Sequence, residues 1–477
     1  MPAQPVRRVA LGTLGGLIAA LALPATAGAH GIQLVTDLPI PEWLFAWAAA
    51  VVLVVSFVAL ATLWPAPRLA ASPARTWGRW PRPLEPLCGA VGIALFVIVV
   101  YAGIDGAQLP TANLAPTWIY VIFWVGLAFL CALVGDVFRV LNPWRAAARA
   151  ARWTATRLSR GRSLPAPLPY PARLGRWPAV AGILAFAWLE LASSLEVRDA
   201  PSTLAVLALA YASVQLIGMS LYGIEAWTER GDAFATYFAF FALLAPLRWE
   251  DGRIIVRPPF VGALRLEPLP GTIALIVVMI GSTSFDGFSN GTVWLSLYPH
   301  LADLFASLGV SRSGSAIYVW PYTLGLVAMI LIVAGLYRLG ALGMRTIGGY
   351  GAGDLSRRFA HTLLPIALAY VVAHYFSLLV FSGQLLVPLA SDPLGTGANI
   401  FGTAHVQENI AVLSGNAIWY VQVGALVVGH VAALALAHDR ALVLYRDPRA
   451  ATRSQYWMLT VMVAFTSLGL WILSSTQ

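Results

Sequence analysis

The amino-acid sequence predicts an all-α, polytopic integral membrane protein, and three observations support this fold class. Of the 477 residues, 59% are hydrophobic and only 11% are charged, whereas soluble proteins carry about 25% charged residues. Apolar runs of 18 to 26 residues recur along the chain, and each is long enough to cross a hydrocarbon core of about 30 Å. All 30 basic side chains are arginines, and they are concentrated in alternate loops.

The N-terminus has the three parts of a secretory signal peptide. A basic pair precedes an apolar run over residues 9–23, which is too short to span a bilayer comfortably. Small residues ending at Ala29 then provide a cleavage site. We therefore predict a signal peptide over residues 1–29 and a membrane domain over 30–477 that begins at His30. A retained N-terminal anchor is the alternative.

About ten transmembrane helices are predicted after the signal peptide. Glycine and proline are tolerated inside them because neighbouring helices satisfy the freed backbone groups. Five spans in each half, 43–226 and 270–474, give the halves opposite orientations, an arrangement that permits an inverted repeat of the kind found in transporters. The predicted spans cover residues 43–64, 86–105, 116–138, 178–197, 201–226, 270–287, 316–337, 361–381, 416–438 and 456–474.

The distribution of arginine predicts the orientation of these spans. The loops on one side carry only Arg198 and Arg312. The arginine-rich loops on the other side are 65–85 with four arginines, 139–177 with nine, 338–360 with four and 439–455 with four. We expect these loops in the cytoplasm, the mature N-terminus outside, and the protein in the cell membrane. The same distribution accounts for the net charge of +9 without a nucleic-acid partner.

One apolar segment does not fit the pattern of spans. Residues 233–247 are apolar but number only 15. Treating them as a span would place the arginines that follow on the outer side, against the orientation rule. These arginines are Arg248, Arg253, Arg257 and Arg265. We therefore predict a short helix that is either re-entrant or lies along the membrane interface.

Four ionisable side chains lie in or at the ends of predicted spans. Each costs about 2.5–3.5 kcal/mol at the bilayer centre, so each indicates a function by default. The sequence places Glu190 near the middle of the fourth span and Asp286 at the outer end of the sixth. His374 lies in the outer half of the eighth span, and His430 lies deep in the ninth.

Helical spacing aligns further polar residues with this set. Intervals of three, four and seven residues put each group on one helix face. Such faces either line a wet cavity or make interhelical hydrogen bonds, which are common in membranes. The two groups are Tyr370, His374, Ser377 and Gln384, and Tyr211, Gln215, Gly218, Tyr222 and Glu225.

A divalent metal ion, copper or zinc, is a predicted cofactor. Histidine is paired with a carboxylate three residues later at His300 and Asp303, and again at His405 and Glu408. Such pairs share a helix face, but they also occur by chance and in exposed loops are usually solvated. Cleavage after Ala29 would give His30 a free amine beside its imidazole, and nitrogen ligands of this kind suit Cu(II). An ordinary N-terminus is the alternative for His30.

Four stretches of the sequence resemble a known group of proteins. They are "AHGIQLVTDLPIPEWLFAWAAAVVLVVSFVALATLWP", "STSFDGFSN", "HYFSLLVFSGQ" and "IWYVQVGALVVGHVAALALAHDRAL". The chain resembles, from about His30 to its last spans, actinobacterial multi-span membrane proteins described as fenitrothion hydrolase-like. The resemblance implies that a membrane-bound enzyme cleaves the P–O–aryl bond of an organophosphate triester. It assigns no catalytic residues.

The polar residues of the spans are compatible with that chemistry. A phosphotriester is neutral and lipophilic, so it can reach the site from the bilayer. Its hydrolysis needs an activated water and an electrophile, and a metal ion provides both. We expect Asp286 and His374 as the first metal ligands and Glu190 as a ligand or general base. His30, His405, Glu408 and His430 are further candidate ligands.

Two other functions are compatible with the same sequence. A transporter or channel for a metal ion or small solute would use the two halves, the broken segment 233–247 and the polar helix faces. A copper-handling membrane protein would use His30 at its N-terminus.

Overall fold

The computed structural model describes residues 42–81, 83–159, 165–250, 252–312, 314–445 and 447–475. The predicted signal peptide and His30 lie outside the described residues. The protein is predominantly helical, at 74%. The first ten helices are α1 Glu42–Leu63, α2 Leu84–Asp105, α3 Leu114–Val134, α4 Val137–Leu141, α5 Pro143–Leu158, α6 Trp177–Leu191, α7 Leu195–Arg198, α8 Pro201–Tyr222, α9 Ile224–Arg230 and α10 Ala233–Ala242.

A small sheet interrupts the helices, and nine more helices follow it. Its strands are β1 Arg75–Arg79, β2 Leu247–Glu250 and β3 Arg253–Val256. The later helices are α11 Thr272–Ser289, α12 Thr292–Ser307, α13 Ala316–Met344, α14 Ala352–Phe359, α15 Leu363–Phe381, α16 Leu386–Ser391, α17 Gly415–Leu444, α18 Pro448–Ser454 and α19 Tyr456–Ser475.

Seven helical segments of the described chain are long and apolar enough to cross a membrane. They are α2, α3, α8, α11, α13 with the turn that follows it, the continuous run α14–α16, and α17. Two further predicted spans correspond to shorter apolar helices, Trp47–Leu63 and Trp177–Leu191. The predicted span 178–197 is too long, because Ser194 is extended (φ −67°, ψ 151°) and starts the separate helix α7.

The three-stranded sheet departs from the predicted all-α class. Its order is β1–β3–β2, and both pairings are antiparallel. Strand β1 belongs to the arginine-rich loop 65–85, and β3 follows the short apolar segment 233–247. The sheet therefore holds the arginines of both segments at the same end of the helix bundle, as expected if 233–247 does not cross the membrane.

Helix α10 accounts for most of that segment and is enclosed by protein. Tyr237, Phe238 and Phe241 are all buried, and the helix packs against α3 and α6. The helix therefore contacts mainly other parts of the protein, as a re-entrant helix would. Arg257 caps the C-terminal end of α10 by donating hydrogen bonds to the carbonyls of Ala242, Leu243 and Ala245. Burial and the neighbouring Arg248 lower the pKa of Arg257 to about 10, so it stays charged at neutral pH.

An ion-pair cluster joins four helices at one end of the bundle. Arg145 is central: it lies 2.9 Å from Glu85 and 3.0 Å from Glu225, and its side chain is only 5% exposed. Burial raises the pKa of Glu225, but Arg145 and Arg139 outweigh this effect and hold the pKa below its ordinary value. The six members are Glu85 on α2, Arg139 on α4, Arg145 and Arg149 on α5, and Glu225 and Glu229 on α9.

We expect Arg145→Gln to destabilise the protein by about 2 kcal/mol, because it removes the more buried of the two arginines that Glu85 and Glu225 share and leaves them only exposed Arg149 in common. Thermal unfolding in detergent measures the change. Arg357→Gln is the matched control, since Arg357 pairs with Asp354 at the exposed surface and should change stability by less than about 0.5 kcal/mol. Equal losses in the two variants would contradict the role given to Arg145.

Candidate functional site

The candidate site lies among five helices, one of which has an unusual backbone. Residues Thr117–Gly126 of α3 form a π-helix, a conformation that occurs mostly as short insertions in α-helices and is frequent at functional sites. This part of α3 packs against α15, while α10 packs against α6. Helix α11 packs against both α6 and α15, which brings polar residues of these helices together.

Asp286 on α11 is the centre of the site. It is 2% exposed, and a buried carboxylate needs hydrogen-bond donors to remain favourable. Nε2 of His374 lies 2.8 Å from Oδ2 of Asp286. The hydroxyl of Tyr375 donates to the same oxygen, also at 2.8 Å. Two consecutive residues of α15 therefore hold one carboxylate of α11.

This pairing defines the chemistry of the His374 ring. Because Nε2 faces a carboxylate, the neutral ring carries its proton on Nε2 and its lone pair on Nδ1. Nδ1 has no hydrogen-bond partner among the described residues. The His374 side chain is 25% exposed, so this nitrogen is free to act as a base.

Glu190 belongs to the same cluster, although its position differs from the prediction. It lies in the last turn of α6, which ends at Leu191, rather than in the middle of a span. Its carboxyl group interacts electrostatically with Asp286 and with Arg198. Among the described residues it has no side-chain hydrogen bond. Glu190 is partly exposed, so a second carboxyl group lies beside the pair of Asp286 and His374.

Three members of the site were missed by sequence reasoning. Tyr375 follows His374 directly, but the helical spacing drew attention to a different face of α15. Tyr237 stacks on Trp124, with ring centroids 4.3 Å apart, and interacts electrostatically with Glu190. The Tyr237 hydroxyl and the Trp124 indole nitrogen are both buried without a partner among the described residues. Tyr237 and Trp124 lie in apolar stretches of the sequence, so nothing in the sequence marked them as functional residues.

The other candidate ligands do not join Asp286 and His374. His430 is fully buried and its Nδ1 donates to the carbonyl of Leu426 at 2.7 Å. His405 is exposed and Glu408 partly exposed, in the chain between α16 and α17. Within the part of the chain that the structure describes, no group of three or more His, Cys, Asp or Glu residues is arranged to hold a metal ion.

His300 and Asp303, the other candidate pair, each contact a different residue. Asp303 forms an ion pair with Arg312 at 2.8 Å, and His300 hydrogen bonds to the carbonyl of Ser296 at 3.0 Å. Both pairs lie at the exposed surface.

The polar face of α8 makes packing contacts. Tyr211 donates to Asp232, and Gln215 accepts from Trp227. A Cβ at Gly218 would lie 2.1 Å from the Trp227 ring, so only glycine permits this close approach. This face therefore serves helix packing, the second of the two predicted alternatives.

No protein-family model matches this chain, and no curated protein or solved structure matches it either.

We expect Asp286→Ala to lower the free energy of unfolding by about 2 kcal/mol, because His374 and Tyr375 lose a charged hydrogen-bond acceptor. Thermal unfolding in detergent measures this loss. Asp303→Ala is the control, since Asp303 is 65% exposed and its pair should contribute less than about 1 kcal/mol. An Asp286→Ala protein as stable as the parent would show that the carboxylate does not hold the two helices together.

Proposed function

We propose that the protein is a membrane-embedded hydrolase of a lipophilic organophosphate-type ester. One observation carries the proposal: His374 is held by Asp286 through Nε2, while Nδ1 has no hydrogen-bond partner in the described chain and the side chain is 25% exposed. A buried carboxylate that orients an imidazole is the arrangement of a general base. The resemblance to fenitrothion hydrolase-like proteins supports the substrate class.

The proposed reaction uses only groups of this chain and water. Nδ1 of His374 accepts a proton from a water molecule, and the water oxygen forms a bond to phosphorus. The P–O–aryl bond breaks, and its electron pair leaves on the phenolate oxygen. Asp286 stabilises the imidazolium that forms, and the imidazolium then gives its proton to the phenolate oxygen. The second proton of the attacking water leaves the P–O–H group of the product to bulk water. Glu190, which is also partly exposed, orients the water by accepting a hydrogen bond from its second O–H group.

The substrate class follows from the surroundings of this pair. The site lies among helices whose outer surfaces are apolar, which suits contact with lipid. A neutral triester partitions into lipid and reaches the site between helices, whereas a charged diester would be excluded. The released diester is anionic and leaves toward water.

A divalent metal ion at Asp286 and His374 stays a prediction. Catalytic zinc sites use three protein ligands, and these two residues supply two. The proposed reaction therefore has no metal step.

We also propose the full topology that the sequence predicts. In this topology α1, α6 and α19 also cross the membrane, which gives ten spans with the seven apolar segments. A cleaved signal peptide precedes them. The mature N-terminus and Asp286 are then near the outer face of the cell membrane, and the sheet lies in the cytoplasm. The shared end of β1 and β3 supports this arrangement, as does the positive-inside rule.

We expect membranes that carry the protein to release nitrophenol from fenitrothion, and His374→Ala to reduce the rate by about 10²–10⁴-fold, the contribution of a general base. His300→Ala is the control, because His300 is an exposed histidine of α12, and its rate should equal that of the parent. Absence of release by the parent would refute the hydrolase, and equal rates for His374→Ala would remove His374 from the reaction.

A proton-coupled transporter is the second candidate, favoured by the electrostatic interaction between Glu190 and Asp286. Ionisable pairs inside a bundle can carry protons in transporters. A transporter would accumulate an unaltered solute in sealed vesicles, and Glu190→Gln would abolish that accumulation. A hydrolase would yield product without accumulation, so the two outcomes separate the candidates.

A further inference from the structure

A second cluster of polar groups lies at the end of the bundle that carries the sheet. It is built from His361, Arg358 and Arg440. The turn Ala360–Thr362 packs against α17, which carries Arg440, and against the turn Val261–Arg265 that follows β3. His361 interacts electrostatically with Arg440, and Arg440 with Arg358. The proposed hydrolysis uses none of these groups.

His361 offers a hydrogen-bond acceptor in this cluster. It is 4% exposed, and its Nε2 is buried without a partner among the described residues. The ring also interacts with the backbone of Arg358. With the proton of the neutral ring on Nδ1, Nε2 presents a lone pair to the cluster.

Arg440 offers donors beside that acceptor. Within the described chain its guanidinium has no hydrogen bond or ion pair, and its Nε is buried. The adjacent Asp439 interacts with Arg440 electrostatically but makes no ion-pair contact with it. The Asp439 carboxylate accepts from the Trp64 indole and from the backbone amides of Arg68 and Leu69. A partly buried guanidinium without a hydrogen-bond acceptor is unfavourable, so an anion that accepts its hydrogen bonds would be favourable here.

Arg358 adds a second positive charge at the rim. It bonds to Asp354 at 3.3 Å and lies over the Tyr350 ring. Tyr350 in turn packs against Tyr445, whose hydroxyl is buried without a partner in the described chain. Asp354 is the acidic group at this rim, and it is exposed and already paired with Arg358 and Arg357.

We propose that this cluster binds a phosphate group that carries a proton, either inorganic phosphate or a phosphomonoester. The oxygens of such a group accept hydrogen bonds from Arg440, as phosphates commonly do from arginine. Its P–O–H donates to Nε2 of His361. Sulfate and phosphodiesters have no proton to donate at neutral pH, so the same site discriminates against them. The acceptor at His361 is what makes the site selective.

The first test compares anions on the full chain in lipid nanodiscs. Isothermal titration calorimetry with inorganic phosphate and with sulfate, at equal ionic strength and pH 7, measures both affinities. We expect phosphate to bind at least about tenfold more tightly, since a lost hydrogen bond to a charged group costs about 1.5–3 kcal/mol. No binding of phosphate, or equal binding of sulfate, would overturn the proposal.

Two variants assign the binding to this cluster. Arg440→Gln should weaken phosphate binding by about tenfold or more, whereas Arg75→Gln removes the same charge from an exposed position in β1 and should not change it. His361→Phe should remove the preference for phosphate over sulfate. If Arg75→Gln weakens binding as much as Arg440→Gln, the effect is general charge attraction and the proposal fails. The parent's preference for phosphate stands as a test even where a variant does not fold.

The lipid composition of the nanodisc identifies the source of the phosphate. Phosphatidic acid carries a phosphomonoester, and phosphatidylglycerol carries a diester. Loss of calorimetric phosphate binding in phosphatidic acid nanodiscs alone would identify the lipid headgroup as the occupant. Unchanged binding in both compositions would identify free phosphate. Loss in both compositions equally would show that only surface charge is sensed and would overturn the selectivity.

Discussion

The structure depends on Asp286, a buried carboxylate that needs hydrogen-bond donors. Asp286 lies on α11, the most enclosed of the apolar segments that are long enough to span a membrane, with 83% of its span buried. Removing a carboxylate from water is costly unless donors replace the lost hydration. His374 and Tyr375 supply those donors from α15. The packing of α11 against α15 and the chemistry of the site therefore have the same origin.

Close helix approach makes this arrangement possible. A Cβ at Gly281 would lie 2.7 Å from the Cα of Ile330, so the glycine lets α11 approach α13 closely. A Cβ at Gly429 would lie 2.4 Å from the Cβ of Ala369, which brings α17 against α15 in the same way. Small residues at such contacts are typical of membrane helix packing. The ionisable site is thus surrounded by helices that exclude water from Asp286 but leave part of His374 exposed.

The sequence was informative where the physical signal is local. Hydropathy located the apolar helices, and the cost of charges in a membrane drew attention to Glu190, Asp286 and His374. It could not indicate that Asp286 and His374 touch, because they are 88 residues apart and the contact depends on how α11 packs on α15. The π-helix in α3 was missed because its residues have the same apolar character as an α-helix.

Other differences have equally specific causes. The sheet was missed because β1 and β3 are short and pair across a long stretch of chain. The end of α6 was misplaced because the apolar pattern continues past Leu191, whereas the backbone turns at Ser194. The polar face of α8 read equally well as a cavity lining or as packing, and only the positions of Asp232 and Trp227 distinguish the two.

The most direct test of the central claim is a double-mutant cycle on the rate of fenitrothion hydrolysis. The four proteins are the parent, Asp286→Asn, His374→Ala and the double variant. If Asp286 acts only by orienting His374, Asp286→Asn slows the parent but has no further effect once His374 is alanine. Losses that multiply in the double variant would show that the two residues act independently, and this would contradict the account of the pair as one base.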